Sequence, residues 1–200
     1  MIDQLGLMDI YLIDQLQKGR IKPGMKILDA GCGLGRNAEY FVKNNFEIYG
    51  VDKNEEAIAG LKMKISGWNP AYDKNRMTVT DLVDIPFPEN HFDFIISSAV
   101  LHFAENREHF LAMFKELIRV LKKDGFLFIR MTSKHTIEHL ATRIKEDVYL
   151  LPDESVRYLL DEQVLKKITA ENQLVLVEPF KTVNVADVRS MSTIVLMKNY

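Results

Sequence analysis

Short apolar segments alternate with segments of helical periodicity through the first two thirds of this 200-residue chain. The apolar segments are predicted to be strands, and these are Met25–Leu28, Phe46–Val51, Met77–Thr80, Phe92–Ile96 and Phe126–Met131. Between them lie the predicted helices Arg36–Lys43, Asn54–Ser66 and Arg107–Leu121. Strands that alternate with helices require crossover connections, which favour a parallel sheet covered by helices on both faces.

The last third of the chain follows another pattern. A helix is predicted from Asp161 to about Glu171, followed by two strand-like segments, Gln173–Phe180 and Ser192–Met197, with no helix between them. Two strands joined without a crossover must be antiparallel neighbours. We also expect Asp124-Gly125 to end the preceding helix before the next strand begins.

The segment Thr132–Tyr158 has no clean period and is long for a connection. Two interpretations stay open for it: a lid or substrate-binding segment, and a surface helix followed by a loop. The remainder of the chain shows no linker, so we predict a single domain over residues 1–200. Residues 1–20 are predicted to form a helix that packs near the ligand site, where Tyr11 and Asp14 are candidates to close over it.

Composition excludes several classes of protein. Cys32 is the only cysteine, which excludes a disulfide framework. The net charge of −2 gives no sign of a nucleic-acid partner or of an anionic membrane surface. The chain has no apolar run of about 20 residues and no signal-peptide pattern, so we expect a cytoplasmic protein. His135 and His139 stand four residues apart without a third ligand pattern, so no metal site is predicted.

Three alternate glycines, Gly31, Gly33 and Gly35, directly follow the first predicted strand. Glycines permit positive φ angles and let a ligand approach the backbone closely. Asp29 lies near the end of that strand, and Asp52 and Asp81 end the next two. Because ligands bind beyond the carboxyl ends of parallel strands, the three carboxylates are predicted to line one site. Such a site suits a cationic ligand with hydroxyl groups and opposes a pyrophosphate.

These residues together resemble the class I S-adenosylmethionine-dependent methyltransferases. The resemblance continues through 92–102 and through Leu121–Phe126. It implies a doubly wound, Rossmann-like α/β fold with a seven-stranded sheet in the order 3-2-1-4-5-7-6 and an antiparallel last strand. It also implies S-adenosyl-L-methionine as the cofactor, S-adenosyl-L-homocysteine (SAH) as its product, and methyl transfer to an unidentified acceptor, expected to be a small molecule.

The same resemblance implies roles for individual residues. Gly31 and Gly33 would pack against the methionyl part of the cofactor and Asp29 would lie near its amino group. Asp52 would accept hydrogen bonds from the ribose hydroxyls, and Asp81 from the adenine amine. The complete implied cofactor-binding set is Asp29, Gly31, Gly33, Asp52, Lys53, Asp81, Leu82 and Ser97.

Two residues are candidates for catalysis. His102 follows the fourth strand and can accept a proton near neutral pH. Arg189 precedes the last strand, whose reversed direction brings its start to the ligand edge, where an arginine can orient an acceptor. The segment 188–193, together with the glycine loop, is similar to the tellurite-resistance methyltransferases. That family has a histidine just before the arginine and this chain does not, so the resemblance does not name the acceptor.

Alternative functions remain open from sequence. A protein with this fold can bind the cofactor without turnover, as a regulatory module. A nicotinamide dinucleotide is a second alternative ligand, although Gly35 comes one place early for its glycine fingerprint. Nucleic-acid methylation is a weaker possibility because no base-reading motif follows the fourth strand. We expect a monomer or a homodimer.

Overall fold

A computed structural model describes residues 5–199, and a mostly parallel sheet forms its centre. Eight strands build this sheet: β1 (Lys26–Ala30), β2 (Glu47–Asp52), β3 (Met77–Val79), β4 (Phe92–Ser98), β5 (Leu121–Thr132), β9 (Leu174–Leu176), β10 (Lys181–Val185) and β11 (Arg189–Lys198). A second sheet contains β6 (Thr142–Lys145), β7 (Val148–Leu150) and β8 (Val156–Tyr158). The α-helices are α1 (Ile10–Gln17), α2 (Ala38–Lys43), α3 (Glu55–Trp68), α4 (Arg107–Val120) and α5 (Glu162–Glu171).

The strand order of the main sheet is β10-β11-β5-β4-β1-β2-β3, and β9 also pairs with β11. Strands β1 to β5 are parallel, while β11 runs antiparallel to β5. The predicted order is therefore confirmed, with β9 and β10 sharing the edge position. The single strand predicted over Gln173–Phe180 is wrong in extent. Pro179 lies in the break between the two short strands, and a proline cannot donate a hydrogen bond to the sheet ladder.

Helices cover both faces of the sheet, as the alternating pattern predicts. On one face α4 buries Phe110, Phe114 and Leu117. On the other face α2 buries Phe41 and α3 buries Leu61. Each face therefore has its own apolar core, and the strands between them are buried on both sides.

The connection between α4 and β5 differs from the prediction. The helix ends at Val120, and the strand begins at the next residue, so Asp124-Gly125 does not end the helix. The pairing with β4 jumps from Phe92–Leu121 to Phe94–Phe126, and Asp124 has a φ of 59° inside the resulting bulge. The turn signal is real, but it marks an irregularity within the strand rather than a boundary.

The segment Thr132–Tyr158 contains the small antiparallel sheet instead of a surface helix. Its own apolar core consists of Ile137, Tyr149, Leu151 and Leu159. The buried Asp147 carboxylate anchors it, because it accepts from Arg107 Nε at 2.7 Å and pairs with Lys134 Nζ at 3.0 Å. Thr132 itself is the last residue of β5, and we call the remaining residues, 133–158, the cap sheet.

Helix α1 is shorter than the predicted 1–20 segment, whose first four residues lie outside the described residues. Asp9 is its N-cap and accepts a hydrogen bond from Tyr11 N at 3.0 Å. Across residues 5–199, no helix combines the length and the apolar character that a membrane crossing requires.

Candidate active site

The glycine loop follows β1 at the carboxyl edge of the sheet. Gly31 and Gly33 have φ angles of 78° and 51°, which few other residues adopt readily. A Cβ at Gly31 would overlap the Val100 side chain, whereas a Cβ at Gly33 would meet no atom within 4 Å. Gly31 is thus needed for packing between two loops, and Gly33 faces open space.

Asp52 ties the glycine loop to the start of α3. One carboxylate oxygen accepts from Gly33 N at 2.8 Å, and the other accepts from Asn54 N at 2.9 Å. An ionised carboxylate has about four acceptor positions, so this side chain can still accept from a ligand hydroxyl.

Asp29 lies in β1 beneath this loop and is 1% exposed. Its Oδ2 atom is buried and has no hydrogen-bond partner among the described residues. The pKa of Asp29 is raised to about 7, because burial and the nearby Asp52 carboxylate raise it by more than the Arg36 guanidinium lowers it. A buried carboxylate of this kind favours a cationic donor close by.

The first of two cavities at this edge has a volume of about 530 Å³. It is acidic, because the carboxylates of Asp52 and Asp81 line it against the single ammonium group of Lys53. Glycines, apolar side chains, Asn54 and His109 form the rest of its wall. The lining residues are Gly31, Gly33, Asp52, Lys53, Asn54, Asp81, Leu82, Ala99, Val100, Phe103, His109 and Met113.

A second cavity of about 470 Å³ adjoins the first, and Ala99 and Phe103 line both. Four arginines line it, from the glycine loop, from β5, from the cap sheet and from β11: Arg36, Arg130, Arg157 and Arg189. Asp9 is the acidic residue in its wall. The two neighbouring cavities therefore carry opposite charge.

His102 belongs to a 3-10 turn, Leu101–Phe103, at the base of the second cavity and is 6% exposed. Its Nδ1 accepts from Thr132 N at 3.4 Å. Burial first, and then the charges of Arg157 and Arg189, lower the pKa of His102 to about 4. The imidazole is therefore neutral at pH 7, and because Nδ1 accepts from Thr132 N, its proton lies on Nε2, which can donate to a bound group.

The sequence profile of the methyltransferase-domain family matches residues 28–129, which is just over half of the 200 residues. The chain belongs to this family. The match covers β1 through most of β5, and with it the glycine loop and the three aspartates, so the predicted membership is confirmed.

Named relatives of this methyltransferase domain differ widely in length. A sterol 24-C-methyltransferase of Gibberella zeae is 35% identical over 108 residues, which cover 52% of this chain and 27% of that protein. The ubiquinone/menaquinone biosynthesis C-methyltransferase of Paraburkholderia phymatum is 28% identical over 183 residues, covering 80% of this chain and 72% of that protein. The chain spans between 22% and 52% of the length of four curated relatives that it matches.

Among solved structures, magnesium protoporphyrin IX methyltransferase from Synechocystis with bound SAH superposes with a TM-score of 0.71. The sequence identity is 18%, and the match covers 96% of this chain and 81% of that chain. At that identity the likeness establishes the fold, and it confirms the predicted Rossmann-like architecture.

The methyltransferase domain brings most of the predicted site residues together. Six of the eight predicted cofactor residues line the first cavity, namely Gly31, Gly33, Asp52, Lys53, Asp81 and Leu82. The other two, Asp29 and Ser97, are buried in β1 and β4 and do not line it. Both catalytic candidates, His102 and Arg189, line the second cavity. Their roles stay predictions.

The sequence analysis missed the other arginines and Asp9. Asp9, rather than Tyr11 or Asp14, is the α1 cap residue that lines the second cavity. Arg130 and Arg157 are separated along the chain and carry no local motif, so only the tertiary structure brings them together. Arg36 could have been predicted from sequence, because it directly follows the glycine loop at the ligand edge of the sheet.

Proposed function

We propose that this protein transfers a methyl group from S-adenosylmethionine, bound in the first cavity, to a small molecule bound in the second. The observation that carries the proposal is the pair of adjoining cavities, which share Ala99 and Phe103 and differ in charge. Both volumes, about 530 and 470 Å³, are within the range of roughly 300–1,000 Å³ that small-ligand sites occupy.

The residues of the first cavity fit the cofactor. Asp52 retains acceptor positions for ribose hydroxyls, and Asp81 lies beside Leu82, where an adenine amine can donate. The unpartnered Asp29 oxygen lies under the glycine loop, where it favours the ammonium group of the methionyl part. A pyrophosphate would be repelled by these carboxylates, which disfavours the dinucleotide alternative.

The protein has to position and shield the reactants, because the cofactor supplies the activated methyl group. When bound, the cofactor would supply a methyl carbon on a sulfonium, so that a lone pair of the acceptor would form the new bond while the electrons of the carbon–sulfur bond would stay on sulfur. Phe103 and Ala99 lie where the two ligands would meet, so they are the residues that align acceptor and methyl group. The cap sheet supplies Leu151, Ser155 and Arg157 to the wall that excludes water.

His102 and Arg189 are the proposed catalytic residues. Because Nδ1 accepts from Thr132 N, the neutral imidazole carries its proton on Nε2 and would donate a hydrogen bond from there to the acceptor, whose own proton would leave to solvent. Arg189, at the start of β11, would orient the acceptor.

Calorimetric titration with S-adenosylmethionine and with SAH tests the cofactor assignment. We expect binding in the micromolar range; absence of both heat and competition would reject the assignment. A methyl-transfer assay with a panel of amine, thiol and phenol acceptors then tests catalysis. Cofactor binding without turnover on any acceptor would favour the regulatory-module alternative instead.

The Asp52→Ala variant tests the same site at one residue. Loss of the ribose hydrogen bonds and of the loop contact to Gly33 should weaken SAH binding by about 1–3 kcal/mol. Asp73→Ala is the matched control, since Asp73 is an exposed aspartate that caps a turn before β3, at the opposite edge of the sheet. Equal SAH affinity in both variants would remove Asp52 from the binding site.

A further inference from the structure

The second cavity is strongly basic in a chain whose net charge is −2. Its wall includes four arginines and a single aspartate, Asp9. The arginines come from four separate parts of the fold, so the concentration of charge arises from tertiary structure and not from one basic segment. Arginine is the side chain best suited to hold carboxylate or phosphate groups, because its planar donors can pair with two oxygens at once.

Two of the four guanidiniums are already engaged near the cofactor side. Arg130 Nη1 donates to Asp9 Oδ2 at 2.8 Å, and Arg36 Nη2 lies 4.0 Å from the same oxygen. Arg36 also donates to Ser98 Oγ at 3.3 Å and acts electrostatically on Asp29 under the glycine loop.

The other two, Arg157 and Arg189, come to the cavity wall from the cap sheet and from β11. The Arg157 guanidinium carbon stands 4.6 Å from the centre of the Phe103 ring, and its Nη1 donates to the neighbouring Val156 carbonyl at 2.7 Å. Arg189 Nη1 pairs with Asp153 Oδ2 at a distance of 3.5 Å. Both guanidiniums line the same cavity as His102, and both lower the pKa of its imidazole.

Phe103 joins this region to the methyl-donor cavity. Its ring is 53% exposed, carries Arg157 on one face and lines both cavities. An anion held by Arg157 and Arg189 would therefore lie next to the junction where the methyl group is transferred. The single carboxylate that pairs with Arg189, Asp153, is on the loop between β7 and β8 and can be displaced by a ligand anion.

We propose that the methyl acceptor carries an anionic group, a carboxylate or a phosphate, that Arg157 and Arg189 bind together. This inference rests on the proposed function, because it names the class of acceptor for the same site. It adds a specificity residue, Arg157, which the cap sheet contributes, and it gives the cap sheet a direct role in recognising the acceptor.

The test uses protein saturated with SAH, so that the cofactor's own carboxylate site is filled. Benzoate and inorganic phosphate are titrated against the neutral analogue benzamide by calorimetry. We expect at least one of the two anions to bind at least about tenfold more tightly than benzamide, and Arg157→Gln and Arg189→Gln each to weaken that binding about tenfold. The two anions distinguish a carboxylate site from a phosphate site.

Arg143→Gln is the matched control, because Arg143 is an exposed arginine of the same cap sheet outside the cavity. It should leave anion binding unchanged, and all three variants should keep the wild-type affinity for SAH. If SAH binds but the anions bind no better than benzamide, or if Arg157→Gln and Arg189→Gln bind them as the wild type does, the anion proposal is overturned alone. If SAH itself does not bind, the proposed function fails first.

Discussion

Asp9 Oδ2 accepts a hydrogen bond from Arg130 Nη1 at 2.8 Å, although the two residues are 121 positions apart. Asp9 caps helix α1, and Arg130 belongs to the central strand β5. The Asp9 side chain is fully buried and also accepts from Ser98 Oγ at 3.1 Å. This contact attaches the N-terminal helix to the wall of the second cavity, so the stability of the fold and the shape of that cavity depend on the same pair.

Replacing Asp9 with asparagine should therefore destabilise the fold. An asparagine retains the N-cap acceptor for Tyr11 N but removes the charge that balances Arg130. Because the pair is largely buried, breaking it should cost about 3 kcal/mol of unfolding free energy, measured by urea denaturation.

Asp14→Asn, on the same helix, is the control for this measurement. Asp14 is about one-third exposed and pairs with Lys18, so its loss should cost less than about 1 kcal/mol. Equal effects of the two substitutions would show that the Asp9 pair is not the anchor of the helix.

Gly31→Ala and Gly33→Ala should have different effects, although both glycines have positive φ. A Cβ at Gly31 overlaps Val100, so Gly31→Ala should lower the unfolding free energy by more than the roughly 1–2 kcal/mol of backbone strain alone. A Cβ at Gly33 enters open cavity space, so Gly33→Ala should lose mainly SAH affinity.

Urea denaturation and SAH calorimetry on both variants separate these effects. Gly67→Ala is the control, because Gly67 lies in helix α3 with nothing within 4 Å of its added Cβ, and it should gain about 0.5–1 kcal/mol of stability. A Gly33→Ala variant that binds SAH with full affinity would contradict the assignment of the first cavity.

The parallel sheet and the glycine loop could be predicted from sequence because their signals are local. Apolar runs mark each strand, and the aspartates follow those runs directly, so their convergence at one edge follows from strand direction alone. The cap sheet could not be predicted in this way. Its strand β6 is exposed along its whole length, so it has no alternation of buried and exposed residues to detect.

Most of the arginines that line the second cavity could not be predicted from local sequence patterns. Arg189 is the exception. It could be predicted from topology, because an antiparallel last strand must begin at the ligand edge of the sheet. Arg130 is near the end of the apolar strand β5, and Arg157 is in the three-residue strand β8. No local motif marks either arginine, and only the fold brings them to one cavity.

Asp29 should make stability depend on pH near neutrality. Its pKa is raised by burial from 3.8 to about 7 in the folded protein. A group whose pKa is raised on folding contributes stability below its unfolded value, and that contribution is lost as the pH rises through the folded value. The Asp29→Asn variant, which cannot ionise, should therefore gain stability relative to the wild type between pH 5 and pH 8.

Urea denaturation of both proteins at several pH values measures this difference. We also expect the affinity of the wild type for SAH to rise as the pH increases through about 7. Asp29 ionises in this range, and its carboxylate then attracts the cationic amino group of the ligand. A constant difference in unfolding free energy between wild type and Asp29→Asn from pH 5 to pH 8 would contradict the buried, protonated state.

Glu178 should have the opposite pH dependence. Burial alone would raise its pKa, but hydrogen bonds from Lys18, Lys181 and Arg20 hold the pKa far below its ordinary value of 4.5. A carboxylate with a lowered folded pKa contributes stability that is present above the unfolded value and is lost as the pH falls below it. The wild type should therefore lose its advantage over Glu178→Gln as the pH falls from 6 to 3.

The ion pairs of Glu178 join the end of helix α1 to the segment between β9 and β10, so the lost stability is that of the contact between the helix and the sheet edge. Urea denaturation of wild type and Glu178→Gln at pH 6, 4.5 and 3 measures it. Glu171→Gln is the control. Glu171 is more than half exposed, and its Oε1 lies as far as 3.8 Å from Lys167 Nζ, so the substitution should have a small effect at every pH. If the difference in unfolding free energy between wild type and Glu178→Gln is the same at pH 6 and pH 3, the pKa of Glu178 is not lowered. The contact between the two chain segments would then depend on packing alone.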